Sequence, residues 1–284
     1  MSEPSNQTMR AYSSFWRDSS LPFIESRSVA DGRHVCYARH SHETFSVGLV
    51  DSGVSTYING LSQCLIEAGT LVLMNPGDVH ACNPIQNQPW AYRMLYIDAD
   101  WLSELQDDLG VDGAGYRRFT PILTRHAQLQ SGFSCLHATL IDEHIDPLYK
   151  HGAAIEFFST LHQQLGVSVG PSACRSKLQR AADFISDNYQ RSLKLDEISQ
   201  TAGVSPSSLT RSFKKHFGMT PHAYLTNRRV QFARAELRLG RPIADVALAA
   251  GFADQAHLQR AFKQLLATTP GHYRDGRRSP LRQQ

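Results

Sequence analysis

Side chains that can bind nucleic acid recur in two blocks near the C-terminal end of the chain. Arginine pairs with guanine, glutamine pairs with adenine, and lysine neutralises backbone phosphate. The first block carries Ser207, Thr210, Arg211 and Lys214, and the second carries Gln255, His257, Gln259, Arg260 and Lys263. A solvated helix face is the ordinary alternative for one such block, but two blocks at matching positions favour a DNA-binding surface.

A second set of functional side chains lies within the first hundred residues. It consists of His40, His42, His80, Trp90, Tyr92 and Met94. We expect His40 and His42, two positions apart, to share one face of a strand. The histidines are consistent with a small-molecule pocket, with structural hydrogen bonding or with a metal site. The aromatic run is consistent with the wall of that pocket or with an ordinary core.

Five cysteines are scattered singly along the chain. They are Cys36, Cys64, Cys82, Cys135 and Cys174. Because no Cys-x-x-Cys occurs and the number is odd, neither a zinc ribbon nor a disulfide framework is predicted. This cysteine usage is typical of a reducing cytoplasm.

The formal charge of the chain divides unevenly along its length. The whole chain carries +3, but residues 1–170 carry −8 and residues 171–284 carry +11. The segment 166–172, rich in glycine and serine, is typical of a linker. An acidic half joined to a basic half favours a polyanion as the partner of the basic half.

The basic half contains an internal repeat. Leu195, Ile198, Ala202, Gly203 and Val204 recur 48 residues later as Ile243, Val246, Ala250, Gly251 and Phe252. Leu209, Phe213, Thr220, Pro221 and Tyr224 recur 49 residues later as Leu258, Phe262, Thr269, Pro270 and Tyr273. Two copies of a pattern this long indicate a duplicated structural unit.

Each copy is predicted to fold as a helix, a tight turn and a second helix. Apolar residues in the first helix fall at helical spacing, and a glycine suits the sharp turn that follows. Ser205 and Asp254 are the predicted N-caps of the second helices. A long helix over 221–239, closed by Gly240, would hold the two units at a fixed spacing. A further helix over 177–189 would precede the first unit.

The stretch from about Arg175 to Arg274 resembles the DNA-binding domain of the AraC/XylS family of bacterial transcription regulators. The first copy carries Ala202-Gly203-Val204-Ser205, Phe213-Lys214, Phe217-Gly218 and Thr220-Pro221. The second copy carries Ile243-Ala244-Asp245-Val246-Ala247, Gly251-Phe252, Phe262-Lys263 and Thr269-Pro270-Gly271. The resemblance implies that both second helices enter successive major grooves. It places Ser207, Thr210 and Arg211 against bases in one groove, and Gln255, Gln259 and Arg260 in the other.

Short β-rich runs separated by turn residues fill the stretch from 33 to 97. We predict strands over 44–50, 55–58, 70–74 and 91–97, with Gly53 and Asn59-Gly60 among the breaks. Such a pattern is typical of a β-sandwich or barrel. Helices predicted over 100–109, 121–148 and 150–165 would cover the barrel or pair two subunits.

Two segments of this half resemble the motifs of the cupin-type sensory domain that precedes the DNA-binding domain in many family members. They are His40-Ser41-His42 with Gly48, and the run from Gly69 to His80. Metal-dependent cupins have a glutamate a few residues after the His-x-His pair, whereas here Glu43 directly follows His42 and should point to the opposite face. A carboxylate ligand is therefore missing, and the barrel interior is the predicted ligand pocket.

The predicted fold class is α+β, with an N-terminal cupin-like β-barrel and flanking helices followed by a C-terminal all-α domain with two helix-turn-helix units. We expect a flexible N-terminal segment over 1–20, a ligand-sensing and dimerisation domain over 21–165, a linker over 166–174, a DNA-binding domain over 175–276 and a basic tail over 277–284.

Together these patterns predict a sequence-specific, ligand-responsive transcription regulator, an activator, in the bacterial cytoplasm. Its expected partners are double-stranded promoter DNA, a small-molecule effector, RNA polymerase and a second copy of the chain. No apolar run is long enough to cross a bilayer, so no membrane partner is expected. A metal-dependent cupin enzyme fused to a DNA-binding domain is the alternative. Neither enzymatic activity nor a cofactor is predicted, and a DNA-repair methyl acceptor would need clustered cysteines.

Overall fold

The computed structural model describes residues 13–86, 88–168 and 176–276, which form ten strands and ten helices. The strands are β1 (Ser13–Arg17), β2 (Ile24–Val29), β3 (Phe45–Asn59), β4 (Ser62–Glu67), β5 (Leu71–Met74), β6 (His80–Pro84), β7 (Trp90–Ile97), β8 (Arg118–Phe119), β9 (Leu123–Thr124) and β10 (Val167–Ser168). The helices are α1 (Ala99–Asp108), α2 (Ala127–Ile141), α3 (Pro147–Gln164), α4 (Lys177–Asp187), α5 (Leu195–Ala202), α6 (Pro206–Phe217), α7 (Pro221–Arg238), α8 (Ile243–Ala249), α9 (Gln255–Leu266) and α10 (Pro270–Arg274).

The N-terminal half is built around one antiparallel sheet in which β3 is the longest strand. The main order is β1-β2-β7-β3-β5-β9, and β4 and β6 also pair with β3. One end of β3 pairs with β7 and β5, whereas the stretch from Val54 onward pairs with β4 and β6. Because β3 takes part in both groups of strands, it joins them into one folded-over sheet. The predicted α+β class, with a β-rich domain followed by a helical domain, is confirmed.

The prediction of two separate strands around Gly53 is wrong, since β3 runs continuously from Phe45 to Asn59. The pairing register with β7 shifts between Val50 and Ser52, so the chain absorbs the irregularity as a bulge. Gly53 has φ +74°, and a Cβ there would lie 2.2 Å from the carbonyl oxygen of Pro89. Its glycine signal therefore marks a bend within a strand.

Three predicted boundaries also differ from the structure. The flexible segment over 1–20 is wrong for Ser13–Arg17, which pair with β2, while residues 1–12 lie outside the described residues. In the predicted linker, Val167–Ser168 pair with β8, and residues 169–175 are not described. The predicted helix over 121–148 is shorter, because Leu123–Thr124 pair with β5 and the helix ends at Ile141. The basic tail over 277–284 is not described either.

Two cores lie on opposite faces of the sheet. Along β7, Leu95 and Ile97 face helices α2 and α3 and pack with Phe133 and Phe158. The other face of the sheet belongs to a separate cluster that contains Trp90, Tyr92 and Met94. The side chains on this second face surround the ligand cavity described below.

The C-terminal half is helical, and α7 joins its two units. Leu225 of α7 packs with the first unit, whereas Val230, Ala233 and Leu237 pack with the second. The predicted spacer role of this helix follows from that division of contacts. The predicted helix over 221–239 ends one residue earlier, at Arg238, and Leu239 is 70% exposed. None of the described helices is long and apolar enough to cross a membrane.

Candidate DNA-binding surface and ligand cavity

The second helix of each repeat unit has a side-chain cap at its N-terminus. Ser205 Oγ accepts a hydrogen bond from the backbone N–H of Ser208 at 3.3 Å, before α6. Asp254 Oδ1 accepts one from the N–H of His257 at 2.7 Å, before α9. Both predicted N-caps are confirmed. Each cap satisfies a backbone donor that the helix cannot satisfy itself, and so fixes where the helix begins.

The turn before each of these helices requires a glycine. Gly203 has φ +64° and Gly251 has φ +84°, both in the left-handed region that favours glycine. A Cβ at position 251 would also lie 2.4 Å from the carbonyl oxygen of Gln190. The second turn therefore depends on glycine for both its backbone conformation and its close packing.

Burial of one face of each helix determines which predicted DNA-binding residues face outward. Leu209 and Phe213 of α6, and Leu258 and Phe262 of α9, are completely buried. Ser207, Arg211, Lys214, Gln255, Gln259 and Arg260 are exposed, and Thr210, His257 and Lys263 are half-buried. The Thr210 hydroxyl donates to the Pro206 carbonyl oxygen at 3.0 Å, so part of its hydrogen-bonding capacity serves the helix.

Arginines of the spacer helix α7 contact other parts of the chain. Arg229 donates to the carbonyl oxygen of Tyr189 at 2.7 Å, and Arg228 forms an ion pair with Glu43 of the N-terminal half. These contacts within the chain give the two arginines a structural role.

A cavity that is partly open to solvent lies on the face of the sheet opposite α2 and α3. It is lined by Tyr37, His40, Gly48, Leu49, Val50, Ile66, Val72, Met74, His80, Cys82, Trp90, Tyr92, Met94 and Tyr96. The structure thus places five of the six predicted ligand-binding residues around one cavity. His42 is the exception, because it lies in a separate groove that Asn227 and Arg228 of α7 also line.

The three histidines are held by backbone hydrogen bonds. His40 and His42 do not lie in a strand as predicted; only His40 forms an isolated bridge, with His80. The Nδ1 atoms of His40, His42 and His80 lie 2.9, 2.8 and 2.8 Å from the carbonyl oxygens of Ala38, Thr44 and Asp78. Because a carbonyl only accepts, each Nδ1 carries the proton and each Nε2 is left as an acceptor.

Burial lowers the pKa of all three histidines, well below the ordinary value of 6.5 for His40 and His42. Repulsion by a protonated His80 adds to this effect at His40 and His42, and so does the guanidinium charge of Arg234. The three rings are therefore neutral at physiological pH, with centroids 4.4 to 6.3 Å apart.

The metal-site interpretation gains no support within the described residues, where no group of three His, Cys, Asp or Glu side chains is arranged to hold a metal ion. Glu43, the carboxylate next to His42 in sequence, is exposed and paired with Arg228. Structural hydrogen bonding and a role in the cavity wall both fit the positions of His40 and His80.

Lowering the pH from about 7 to about 5 is expected to reduce the free energy of unfolding. The unfolded histidines take up protons below pH 6.5, whereas the buried histidines resist protonation, so each contributes a loss of up to about 1.4 kcal/mol per pH unit. Urea unfolding at several pH values measures this slope, and the variant His80→Gln should reduce it by about one proton. A stability that does not change over this pH range would contradict the burial of neutral rings.

A buried ionic network joins the two halves of the chain. Glu25 of β2, 1% exposed, pairs with Arg17 of β1 at 2.6 Å and with Arg234 of α7 at 3.1 Å. The hydroxyl of Tyr273 in α10 donates to Glu25 Oε2 at 2.9 Å. Although burial alone raises a carboxyl pKa, the charges of Arg234 and Arg17 prevail and lower that of Glu25 to about 2.

Arg27, two residues along β2, connects the cavity wall with α9. Its guanidinium donates to the hydroxyl of Tyr37 at 2.7 Å and to the carbonyl oxygens of Leu266 and Ala267 at 2.8 and 3.3 Å. Those carbonyls lie at the C-terminal end of α9, where a positive charge also suits the helix dipole. Ala267 itself packs in the same cluster as the cavity residues.

Sequence reasoning missed Glu25 and Arg27, because β2 lacks the alternation of apolar and polar residues that marks a strand. Its sequence Ile-Glu-Ser-Arg-Ser-Val has four polar residues in succession, yet five of its six residues are buried. The partners in α7, α9 and α10 lie 209 to 248 residues away in sequence, so no local pattern could identify them.

Comparisons with known proteins agree with this arrangement. A model of an AraC-like ligand binding domain matches residues 26–159, and a model of a helix-turn-helix domain matches residues 198–276. The HTH-type transcriptional regulator YbfI of Bacillus subtilis is 26% identical over 237 residues, covering 78% of this chain and 81% of that protein. The HTH-type transcriptional activator RhaS of Yersinia pestis is 24% identical over 268 residues, covering 90% and 94%. Among solved structures, ToxT of Vibrio cholerae has a similar fold, with a TM-score of 0.55 at 12% identity, covering 93% and 96%.

Proposed function

The chain belongs to the AraC family of transcription regulators, and we propose that it activates transcription by inserting α6 and α9 into successive major grooves of promoter DNA. The helices are the second helices of two helix-turn-helix units, and the family's ligand-binding domain precedes them. The activating sign of regulation is proposed because the RhaS relatives are transcriptional activators.

The observation that carries the proposal is the pair of capped helices held by one spacer. Both present exposed arginines, and α9 adds exposed glutamines, while α7 packs against both units. Arginine and glutamine have the paired hydrogen-bonding groups that distinguish guanine and adenine in the major groove. We assign base contact to Ser207, Thr210, Arg211, Gln255, Gln259 and Arg260, and phosphate contact to Lys214, His257 and Lys263.

We further propose that a small effector binds in the N-terminal cavity and acts through Arg27. The same side chain contacts the cavity residue Tyr37 and the end of α9, so a ligand that moves the tyrosine changes a contact of the second reading helix. We propose that the two domains have two relative arrangements that differ in DNA affinity. A ligand shifts the equilibrium between these arrangements only if it binds one of them more tightly than the other. His40, His80, Trp90, Tyr92 and Met94 are the proposed wall of this site.

The remaining assignments follow from this role. A regulator of bacterial promoters acts in the cytoplasm and engages RNA polymerase, and we propose both for this chain. The exposed Leu148, Tyr149 and Ile155 on α3 are the proposed surface for a second copy. We propose no catalytic activity and no cofactor.

The experiment that tests the function is selection of binding sites from random DNA, followed by footprinting of the purified full chain. The selected sites should contain two short specific blocks centred about 10 base pairs apart on one face of the duplex. Sites with a single block, or with no sequence preference, would overturn the assignment of two reading helices.

The affinity for the selected site should fall steeply with salt. If about six to eight phosphates are neutralised, the slope of log affinity against log salt should be about −5 to −7. Lys214→Ala should weaken binding to all sequences and reduce the slope by about one. Titrations at several salt concentrations measure this, and an unchanged slope would place Lys214 away from the DNA backbone.

A further inference from the structure

The ligand cavity has a polar end that gathers three tyrosine hydroxyls around one guanidinium. Arg27 donates to the hydroxyl of Tyr37, which lies 2.6 Å from the hydroxyl of Tyr92. Tyr96 lies close enough to Arg27 for the guanidinium charge to act on the pKa of its hydroxyl. All three tyrosines line the cavity, whereas Arg27 lies behind them and is 2% exposed.

At the polar end of the cavity, the hydroxyl and guanidinium groups have more hydrogen atoms to donate than there are acceptors for them. A guanidinium only donates, so the Tyr37 oxygen accepts from Arg27, and only one of Tyr37 and Tyr92 can then donate to the other. One hydroxyl hydrogen of this pair therefore has no acceptor within the described part of the chain. The Arg27 Nε likewise has no hydrogen-bond partner there.

Positive charge also exceeds negative charge around these hydroxyls. The oxygens that Arg27 contacts belong to hydroxyls and backbone carbonyls, and Glu25 is already shared by Arg17 and Arg234. The Arg234 guanidinium lies 4.6 Å from the centre of the Tyr96 ring. Buried charge is costly unless an opposite charge pairs with it, so an anion at the hydroxyls would stabilise this end.

The rest of the cavity wall is mainly apolar. Val50, Ile66, Val72, Met74 and Met94 contribute aliphatic or thioether surface, and none of the described lining residues carries a carboxylate. A cation would be repelled by Arg27 and Arg234, and no carboxylate among the described lining residues would pair with it. A polyol would leave most of its hydroxyl donors facing apolar side chains, which is costly.

We infer that the effector is a small monocarboxylate with an apolar body, whose carboxylate accepts hydrogen bonds from the tyrosine hydroxyls in front of Arg27. The inference rests on the proposed effector role of this cavity and adds the chemical class of the ligand. It places the carboxylate at the point where the cavity wall connects, through Arg27, to α9.

The test uses four probes of similar shape with the full chain: phenylacetate, phenylacetamide, 2-phenylethanol and phenethylamine. Hexanoate and hexanamide form a second, linear pair. Binding is measured by calorimetric titration and by the shift in thermal unfolding temperature. At least one acid should bind roughly 10- to 100-fold more tightly than its neutral counterpart, because hydrogen bonds to a charged group are the stronger kind. Phenethylamine should not bind.

Variants separate the hydroxyl contacts from general packing. Tyr92→Phe and Tyr96→Phe keep the rings, and either should remove most of the preference for the acid while leaving the weak binding of the neutral probe. Tyr57→Phe is the matched control, since Tyr57 is buried in the same domain but its hydroxyl donates to the Leu73 carbonyl oxygen. Tyr57→Phe should leave the ratio of the affinity for the acid to the affinity for the neutral probe unchanged.

Two outcomes would overturn the inference: no acid binds more tightly than its neutral counterpart, or the preference for the acid persists when both hydroxyls are removed together. DNA-site selection with the ligand-free chain does not depend on these probes. A negative result here would therefore leave the DNA-binding role standing, and failure of site selection would be recognised separately.

Discussion

Glu25→Gln is expected to lower the free energy of unfolding by about 3–5 kcal/mol and to loosen the contact between the two domains. The carboxylate is buried between Arg17 of the N-terminal domain and Arg234 of the C-terminal domain, and it accepts from the Tyr273 hydroxyl. The amide keeps the size of the side chain but leaves two guanidiniums without their common counter-charge. Removal of one partner from a buried pair costs more than the pair itself contributes, because the remaining charge stays buried.

Glu43→Gln is the matched control for this substitution. Glu43 also pairs with an arginine of α7, but its side chain is 71% exposed, so the loss should be at most about 1 kcal/mol. Chemical unfolding measures both variants, and calorimetry shows whether the domains still unfold together. Equal effects of the two substitutions would contradict a special role for the buried carboxylate.

Lowering the pH should remove the stabilisation by Glu25 from the unsubstituted chain. The folded-state pKa of Glu25 is about 2 and the ordinary value is 4.5, so its stabilisation is complete above pH 4.5 and is lost as the pH falls toward 2. Such a shift corresponds to about 3 kcal/mol, in line with the loss expected for the amide. Glu25→Gln should therefore flatten the pH dependence of stability in that range, which lies below the range in which the histidines act.

The DNA-binding half could be predicted from sequence because its determinants are local. Caps, turns and apolar spacing operate within a few residues, and the repeat shows each of them twice. Ser205 and Asp254 cap the helices as predicted, and Gly203 and Gly251 occupy left-handed turns. Two apolar residues depart from this pattern, since Leu239 after α7 is 70% exposed and Leu195 at the start of α5 is 40% exposed.

The N-terminal half was predicted less completely because its determinants are distant in sequence. A glycine in a strand can mark a turn or a bend, and only the pairing of β3 with β7 shows that Gly53 is a bend. The cavity could be anticipated from the alternation of Tyr92 and Met94 along β7. The buried charges could not, since Glu25 and Arg27 find their partners in the other domain.

Arg260→Ala is expected to cost about 1–3 kcal/mol of binding free energy on the selected DNA site and to relax base preference in one block only. Arg260 of α9 and Arg211 of α6 are both exposed and occupy equivalent outward positions of the two units. Arg211→Ala should relax the other block. Because the two contacts lie about one DNA turn apart, roughly 34 Å, their losses should be nearly additive.

Arg260→Lys separates base contact from phosphate contact. Lysine keeps the positive charge but lacks the planar fork that accommodates guanine O6 and N7 together. Competition binding to the selected site and to random DNA should therefore show that the lysine variant keeps its affinity for random DNA and loses its preference in the block read by α9. If Arg260→Ala instead weakens binding to the selected site and to random DNA equally, and Arg260→Lys restores the affinity for both, Arg260 contacts phosphate. The sequence specificity of α9 would then rest on Gln255 and Gln259, the other exposed residues of that helix to which we assign base contact.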